Sequence, residues 1–221
     1  ACTRCGRCVS ACFSDARRMV GSTYTPEEVL GFVLRDRRFY EESGGGVTFS
    51  GGEPLLQPRE LREAARLCKA EGIHTAVETA GHVPWRSFEE TLPYIDLLYC
   101  DLKTADTDTH KRFTGVGNQR IKENIARLSK ADVELIVRVP VIPGANDSED
   151  AFRSMYGFLQ TQGGVEHVEL LPFHRLGKAK YVGLGRPYPM EGVESLTPEQ
   201  CEPFARVGRD MGLSVRVDGT G

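Results

Sequence analysis

No stretch of roughly 18 apolar residues occurs anywhere in this chain, so nothing in it reads as a membrane-spanning helix. Charge of one sign is lacking too. In 221 residues, 28 Lys and Arg stand against 31 Asp and Glu, a net charge of −3 that leaves no global basic field for nucleic acid or an anionic membrane. Neither is expected as a partner. The opening residues Ala1-Cys2-Thr3-Arg4 offer no apolar stretch of the signal-peptide kind and no initiator Met, so a soluble, cytoplasmic chain, and a fragment, is expected. Gly and Pro, 24 and 12 residues, fall short of low-complexity composition, and 40% hydrophobic residues favour a packed core over disorder. Cysteine is scarce over most of the length: beyond position 12 only Cys68, Cys100 and Cys201 occur, which excludes a secreted disulfide scaffold.

What is present is a crowd of cysteines at the start. Cys2, Cys5, Cys8 and Cys12 form C-x2-C-x2-C-x3-C, the spacing of the bacterial ferredoxin run. Tight turns let the first three thiolates hold irons of one 4Fe-4S cluster, while the fourth reaches a second cluster in two-cluster ferredoxins. Structural zinc is the competing assignment, but zinc sites pair two cysteine knuckles or add a His pair, and the chain has neither. Phe13 follows the run where ferredoxins carry Pro. If Cys12 serves another cluster, its remaining ligands lie outside this chain, because Cys68, Cys100 and Cys201 fall in apolar helix and strand patterns where cysteine acts as a small buried hydrophobe.

The rest alternates β-branched runs with amphipathic helices, the order of parallel strands joined by crossover helices. Thr25-Pro26-Glu27-Glu28 is a capping box with Pro at the first helical position, followed by Val29, Phe32 and Val33, and the polar loop from Glu41 to Gly46 ends the helix. Strands are expected at 47–50, 74–79, 97–103, 135–141, 167–173 and 213–217. Between them the stripes Leu61, Ala65 and Cys68, then Ile121, Ile125 and Leu128, then Phe152, Met155, Tyr156 and Leu159 predict helices with one buried face. Thr197-Pro198-Glu199-Gln200 opens the last helix, and the loop from Gly183 to Gly192 has no assignment. The strands end in Ser50-Gly51-Gly52-Glu53-Pro54, Glu78-Thr79, Asp101-Leu102-Lys103, Arg138-Val139-Pro140 and Leu171-Pro172-Phe173-His174. Polar residues gathered at one rim of a parallel array favour an α/β fold of the partial barrel type over a doubly wound sheet.

Each rim group has its own chemistry. Gly51 and Gly52 let a ligand lie against bare backbone, and the Glu53 carboxylate with nearby carbonyls suits an ammonium, although a Gly-Gly turn ending a strand has the same sequence. Asp101 and Lys103, two apart on one strand, point to one face and need each other or a ligand there, or else sit at an exposed strand end. Arg138 interrupts an apolar run, a place where a cation needs an anion. His174 alone reads as an ordinary loop histidine.

Taken in order, these motifs resemble the radical S-adenosylmethionine enzymes, and within them the glycyl-radical-enzyme activating enzymes of the group that includes pyruvate formate-lyase activase. The resemblance spans nearly the whole chain, and the subgroup with a ferredoxin-like insert accounts for the cysteine run. It implies a remnant of that insert at residues 1–22 and a partial barrel over 23–221. Gly51, Gly52 and Glu53 would grip the methionyl ammonium of S-adenosylmethionine, Asp101 and Lys103 would serve the same cofactor, and Arg138 would meet its carboxylate. Pro140 and Leu171 would flank the adenine and His174 would reach the ribose, with Glu78 and Thr79 a candidate monovalent-cation site. His110 lies in a loop, Asp106 to His110, that recurs in the family without an arguable role.

The implied activity is reductive cleavage of S-adenosylmethionine to a 5'-deoxyadenosyl radical, which takes hydrogen from a glycine of a partner glycyl radical enzyme. Flavodoxin or ferredoxin would supply the electron, in an anaerobic cytoplasm. The radical cluster of the family uses C-x3-C-x2-C, and this chain has no such spacing: Cys5, Cys8 and Cys12 run in the reverse order. No catalytic cysteine is therefore assigned, and the chain is expected to be N-terminally incomplete and inactive alone. Two alternatives stand beside this expectation, a ferredoxin-bearing radical enzyme acting on a small molecule and a non-catalytic iron-sulfur or zinc module fused to a barrel.

Overall fold

The computed structural model describes residues 3, 5–19 and 21–218. A short helix α1 (Arg7–Ser10) precedes α2 (Pro26–Val33), a 3-10 turn and α3 (Arg37–Ser43). Thr25 caps α2 as its sequence predicts: its hydroxyl accepts the Glu28 N–H, and the Glu28 carboxylate accepts the Thr25 N–H at 2.8 Å. The helical stretch reaches Ser43, beyond the expected stop at Glu41, and Gly44 ends it in the left-handed region at φ 67°.

Strand and helix then alternate: β1 (Gly46–Phe49), α4 (Pro58–Ala70), β2 (His74–Thr79), α5 (Trp85–Thr91), β3 (Leu97–Asp101), α6 (Thr107–Thr114), α7 (Gln119–Leu128), β4 (Glu134–Val141), α8 (Glu149–Gln162), β5 (His167–Pro172), α9 (Lys178–Gly183), α10 (Pro198–Asp210) and β6 (Ser214–Val217). The expected strands are all present, with β3 ending at Asp101 rather than Lys103 and β5 at Pro172 rather than Phe173. Asp106 to His110 is not a loop. Asp106 caps α6 by accepting the Thr109 N–H at 2.7 Å, and His110 lies buried in the helix.

All six strands are parallel and lie in the order β1-β2-β3-β4-β5-β6. A doubly wound sheet reverses its order partway, so sequential order is the winding of a partial α/β barrel. Side chains alternate between the two faces of each strand. Val77, Leu98, Val137, Val139, Leu170 and Val215 take the outer face and pack against the predicted helical stripes, with Ile125, Leu128, Phe152, Met155, Tyr156 and Leu159 all buried. Each such burial contributes roughly 1.5–3 kcal/mol. A smaller cluster of Val33, Cys68 and Ile73 seats α2 and α3 beside β1.

Cys68, Cys100 and Cys201 are free and buried, and burial pushes the thiols up, that of Cys201 to about 11. They are the packing residues their sequence positions predict. Among the described residues no helix is long and apolar enough to cross a membrane.

Candidate functional site

The inner face of the sheet carries charge where the outer face carries core. Alternation puts Glu78 of β2, Tyr99 and Asp101 of β3, Arg138 of β4, Glu169 of β5 and Arg216 of β6 on this one face. Strand register makes Arg138 the neighbour of both Asp101 and Glu169, and Glu169 the neighbour of Arg216. The result is a ladder of alternating sign. Ser50 Oγ donates to Glu78 at 2.7 Å; Arg138 Nη1 donates to Glu78 at 2.5 Å and its Nε to Glu169 at 2.6 Å; Arg216 Nε donates to the other Glu169 oxygen at 2.9 Å. The Arg138 guanidinium carbon lies 3.7 Å from the Tyr99 ring centroid, which adds a cation–π contact.

Electrostatics follow from these contacts. Burial raises the pKa of Glu78, but hydrogen bonds from Ser50 and Arg138 and the Arg138 charge outweigh it and hold the carboxyl below its ordinary value. Burial alone would depress Arg138, yet its hydrogen bonds to Glu78 and Glu169 hold the guanidinium above its usual value. The anion that a cation at position 138 needs is therefore supplied twice by the chain itself. The Arg138 charge is thus paired without any ligand.

At the upper rim, Gly51 sits at φ 134°, a conformation that favours glycine, and a Cβ on either Gly51 or Gly52 would meet nothing within 4 Å. Bare backbone thus faces open space at the end of β1. Glu53 follows the two glycines and turns toward the end of β2. Its carboxylate accepts the Thr79 hydroxyl at 2.8 and 2.9 Å, the Ala80 N–H at 2.9 Å and the Leu55 N–H at 3.2 Å, so it rivets the glycine ledge to the end of β2.

Asp101 and Lys103 pair with each other at 2.7 Å, both about one-third exposed. Pro140 and Leu171 are register partners two residues beyond Arg138 and Glu169, which makes them a half-buried apolar step above the ladder. His174 is exposed, and its Nδ1 accepts the Leu176 N–H at 3.3 Å. The Glu78 and Thr79 side chains point to opposite faces of β2, as adjacent strand residues do. Glu78 joins the ladder while Thr79 donates to Glu53.

Three buried asparagines, absent from the sequence expectations, shape this rim. Asn146 donates to the carbonyls of Lys103 (2.7 Å) and Pro140 (2.8 Å) and accepts the Ile142 N–H (2.8 Å), tying the ends of β3 and β4 together. Asn118 holds Thr104 and Ala105, and Asn124 holds Gly81 and Val83. Glu169, Arg216 and Tyr99 are further additions. The sequence signal for Glu169 was the one that marks Arg138, a charge inside an apolar strand.

A family cofactor pair of S-adenosylmethionine and 4Fe-4S clusters can be tested against these residues. An amino-acid zwitterion needs a cation and an anion side by side, and the inner face offers Arg138 and Lys103 beside Glu78 and Asp101, under an open glycine ledge. These residues fit. For a cluster the ligands must be thiolates. The Arg7 N–H and Thr3 hydroxyl lower the Cys5 thiol, and the Ser14 hydroxyl and N–H, followed by the Ala16 and Arg17 N–H groups, lower that of Cys12. This donor chemistry suits a metal. Among the described residues no three ligating side chains converge on one position, so Cys5, Cys8 and Cys12 are not brought together, and Cys2 lies outside the described residues.

Exposure separates the two cysteine groups. Iodoacetamide is expected to label Cys5, Cys8 and Cys12 in the native metal-free chain and Cys68, Cys100 and Cys201 only after denaturant is added, with peptide mass mapping as the measurement. Native labelling of Cys100 at the rate of Cys5 would contradict the buried placement.

Comparison with known proteins places these features. The sequence profile of the radical SAM superfamily matches residues 2–155. The chain is 40% identical over 195 residues to the (2S)-3-sulfopropanediol dehydratase activating enzyme of Klebsiella oxytoca, covering 87% of this chain and 62% of that protein. It is 38% identical over 209 residues to the pyruvate formate-lyase-activating enzyme of Clostridium pasteurianum, covering 94% and 87%. A crystal structure of a domain of pyruvate-formate lyase-activating enzyme from Bacteroides vulgatus superposes with a TM-score of 0.66 at 31% identity, over 79% of this chain and 99% of that one. The chain spans 62% of the length of the first two such curated relatives.

Proposed function

This chain belongs to the radical SAM superfamily, and from that premise we propose that it serves as the barrel of an activating enzyme that installs a glycyl radical on a partner enzyme. The observation that carries the proposal is the pairing of an open glycine ledge with a charge-alternating inner face at the C-terminal ends of the strands, in a chain similar to activating enzymes over 87% and 94% of its length. In this proposal residues 1–22 are half of a ferredoxin-like insert, with Cys2, Cys5 and Cys8 for one 4Fe-4S cluster and Cys12 for another, and residues 23–221 form the barrel. Flavodoxin or ferredoxin is the proposed electron donor, and the cytoplasm the proposed compartment.

When bound, a reduced cluster and S-adenosylmethionine supply one-electron cleavage of a sulfonium carbon–sulfur bond, and with it a 5'-deoxyadenosyl radical able to take hydrogen from a backbone glycine. The chain's own residues bind and orient. Gly51 and Gly52 let the methionyl group approach the backbone, and Glu53 keeps that ledge in place through Thr79 and Ala80. Arg138 and Lys103 present positive charge to a carboxylate, while Glu78 and Asp101 present negative charge to an ammonium. Pro140 and Leu171 offer an apolar step for a flat base, and His174 stands at the solvent edge where a ribose would emerge.

A partner's glycine would then be delivered from the open side of this face. Fluorescence anisotropy with labelled peptides from the glycine loops of a pyruvate formate-lyase and a diol dehydratase tests this. Binding that strengthens with S-adenosylmethionine is the expected result. A chain that binds S-adenosylmethionine but none of the loop peptides would overturn the activating role.

A further inference from the structure

Arg138 and Glu78 belong to the cofactor site proposed above, but Glu169 and Arg216 have no part in it, and their geometry gives them one. Glu169 is 7% exposed, which makes it the most buried carboxylate of the inner face. Its two oxygens are divided between two cations, one taking Arg138 Nε at 2.6 Å and the other Arg216 Nε at 2.9 Å. Arg216, 61% exposed, reaches in from β6, and register places Glu169 between the two arginines.

The choice of nitrogen matters. A guanidinium offers a carboxylate two parallel edges, one built from Nε and an Nη and one from the two Nη atoms. Glu169 occupies the first by way of Nε, and the Tyr99 ring covers the flat face. With Nε held and one face covered, the plane of the guanidinium is set. The Nη1 and Nη2 edge points away from Glu169: Nη1 meets Glu78, and Nη2 has no hydrogen-bond partner among the described residues.

We propose that Glu169 is a positioning residue, held by Arg216, that fixes the Arg138 guanidinium so that its Nη edge is presented to the carboxylate of an α-amino-acid ligand. The proposal rests on the cofactor site described above. Glu169 does not touch the ligand; it decides which edge of Arg138 the ligand meets. Arg216 holds the second Glu169 oxygen and so keeps the carboxylate from closing on Nε and Nη2 of Arg138 together, which would occupy Nη2.

The test uses two probes, S-adenosylmethionine and its decarboxylated analogue, which lacks only the carboxylate, titrated by NMR into the full chain. Arg138→Gln comes first, because it tests the site itself. If it lowers affinity for S-adenosylmethionine no more than for the analogue, Arg138 does not read the carboxylate and the cofactor reading fails. Given that discrimination, Glu169→Gln is expected to weaken S-adenosylmethionine about tenfold and the analogue less than twofold, because one bidentate carboxylate contact is at stake.

Arg216→Gln changes an exposed side chain and preserves the fold should Glu169→Gln fail to fold. It is expected to cut the preference for S-adenosylmethionine over the analogue about threefold, the smaller share of a charge-assisted contact. Unchanged preference in the folded variants, with Arg138→Gln still discriminating, would reduce Glu169 to a counter-ion for burial and overturn the proposal.

Discussion

Replacing Arg138 by Met is expected to lower the stability of the chain by about 3 kcal/mol, because breaking a buried ion pair leaves charge without compensation. Arg138 is 21% exposed and satisfies two carboxylates at once, Glu78 and the more deeply buried Glu169. Its loss leaves Glu169 with Arg216 alone and Glu78 with only the Ser50 hydroxyl. Urea denaturation near neutral pH measures the effect. The pH dependence supplies a second signature. The folded pKa of Glu78 is depressed, so its contribution is fully present above the unfolded value and is lost as pH falls through the folded one. The Ser50 hydrogen bond lowers it first, and Arg138 adds both a hydrogen bond and its charge. The stability gap between the parent chain and Arg138→Met should therefore narrow as pH falls from about 6 to about 3, on either side of an ordinary glutamate. A constant gap across that range would mean that Glu78 gains nothing from Arg138.

The second large effect is expected at Asn146, which is 2% exposed. Asn146→Ala removes three hydrogen bonds and leaves the Lys103 and Pro140 carbonyls and the Ile142 N–H without their partner. A buried polar group left unpaired costs about 1–3 kcal/mol, and water entering the small gap recovers part of it, so a net loss of about 2 kcal/mol is expected. The consequence for the site is more telling than the stability. Asn146 ties Lys103, two residues beyond Asp101 at the end of β3, to Pro140 near the end of β4, which also carries Arg138. Slackening it should weaken S-adenosylmethionine binding in a chain that remains folded, whereas a substitution of equal cost in the outer core, such as Met155→Ala, should leave affinity unchanged at temperatures where both variants are folded. Melting curves and the NMR titration, run on both variants, separate the two outcomes.

Much of the scaffold was legible because its signals are local. The capping boxes at Thr25 and Thr197, the stripes of α4, α7 and α8, and the β-branched runs each need only a few neighbouring residues to be read. The helices that escaped notice lack that periodicity. In α5 the buried positions are Ser87, Phe88 and Thr91, two of them polar; in α6 the buried position is His110; α9 has no buried residue. For α6 the terminal signals were nevertheless present, an Asp106 cap, Lys111 and Arg112 in the last turn, and Gly115 beyond it in the left-handed region.

The site divides along the same line. Glycines at a strand end and a cation in an apolar strand stand out in the sequence, and the structure gathers Gly51, Gly52, Asp101, Lys103 and Arg138 at one end of the sheet. The pairing of Arg138 with Glu78 and Glu169, and of Glu169 with Arg216, was not readable, because these residues meet across strands far apart in the chain. Glu53 also carries contacts its sequence position does not announce, a brace between Thr79, Ala80 and Leu55. Asn118, Asn124 and Asn146 carry no sequence mark that separates a buried clamp from an ordinary loop residue.

If the C-terminal rim of the inner face binds S-adenosylmethionine, an amide-resolved NMR titration of the full chain with that compound should show where it sits. The expected footprint is confined to one end of the sheet, with shifts at Gly51, Gly52, Asp101, Lys103, Arg138, Leu171 and His174. The opposite strand ends at Gly46, His74, Glu134, His167 and Ser214 should stay unmoved. Shifts centred on that opposite end, or none at millimolar ligand, would contradict the account.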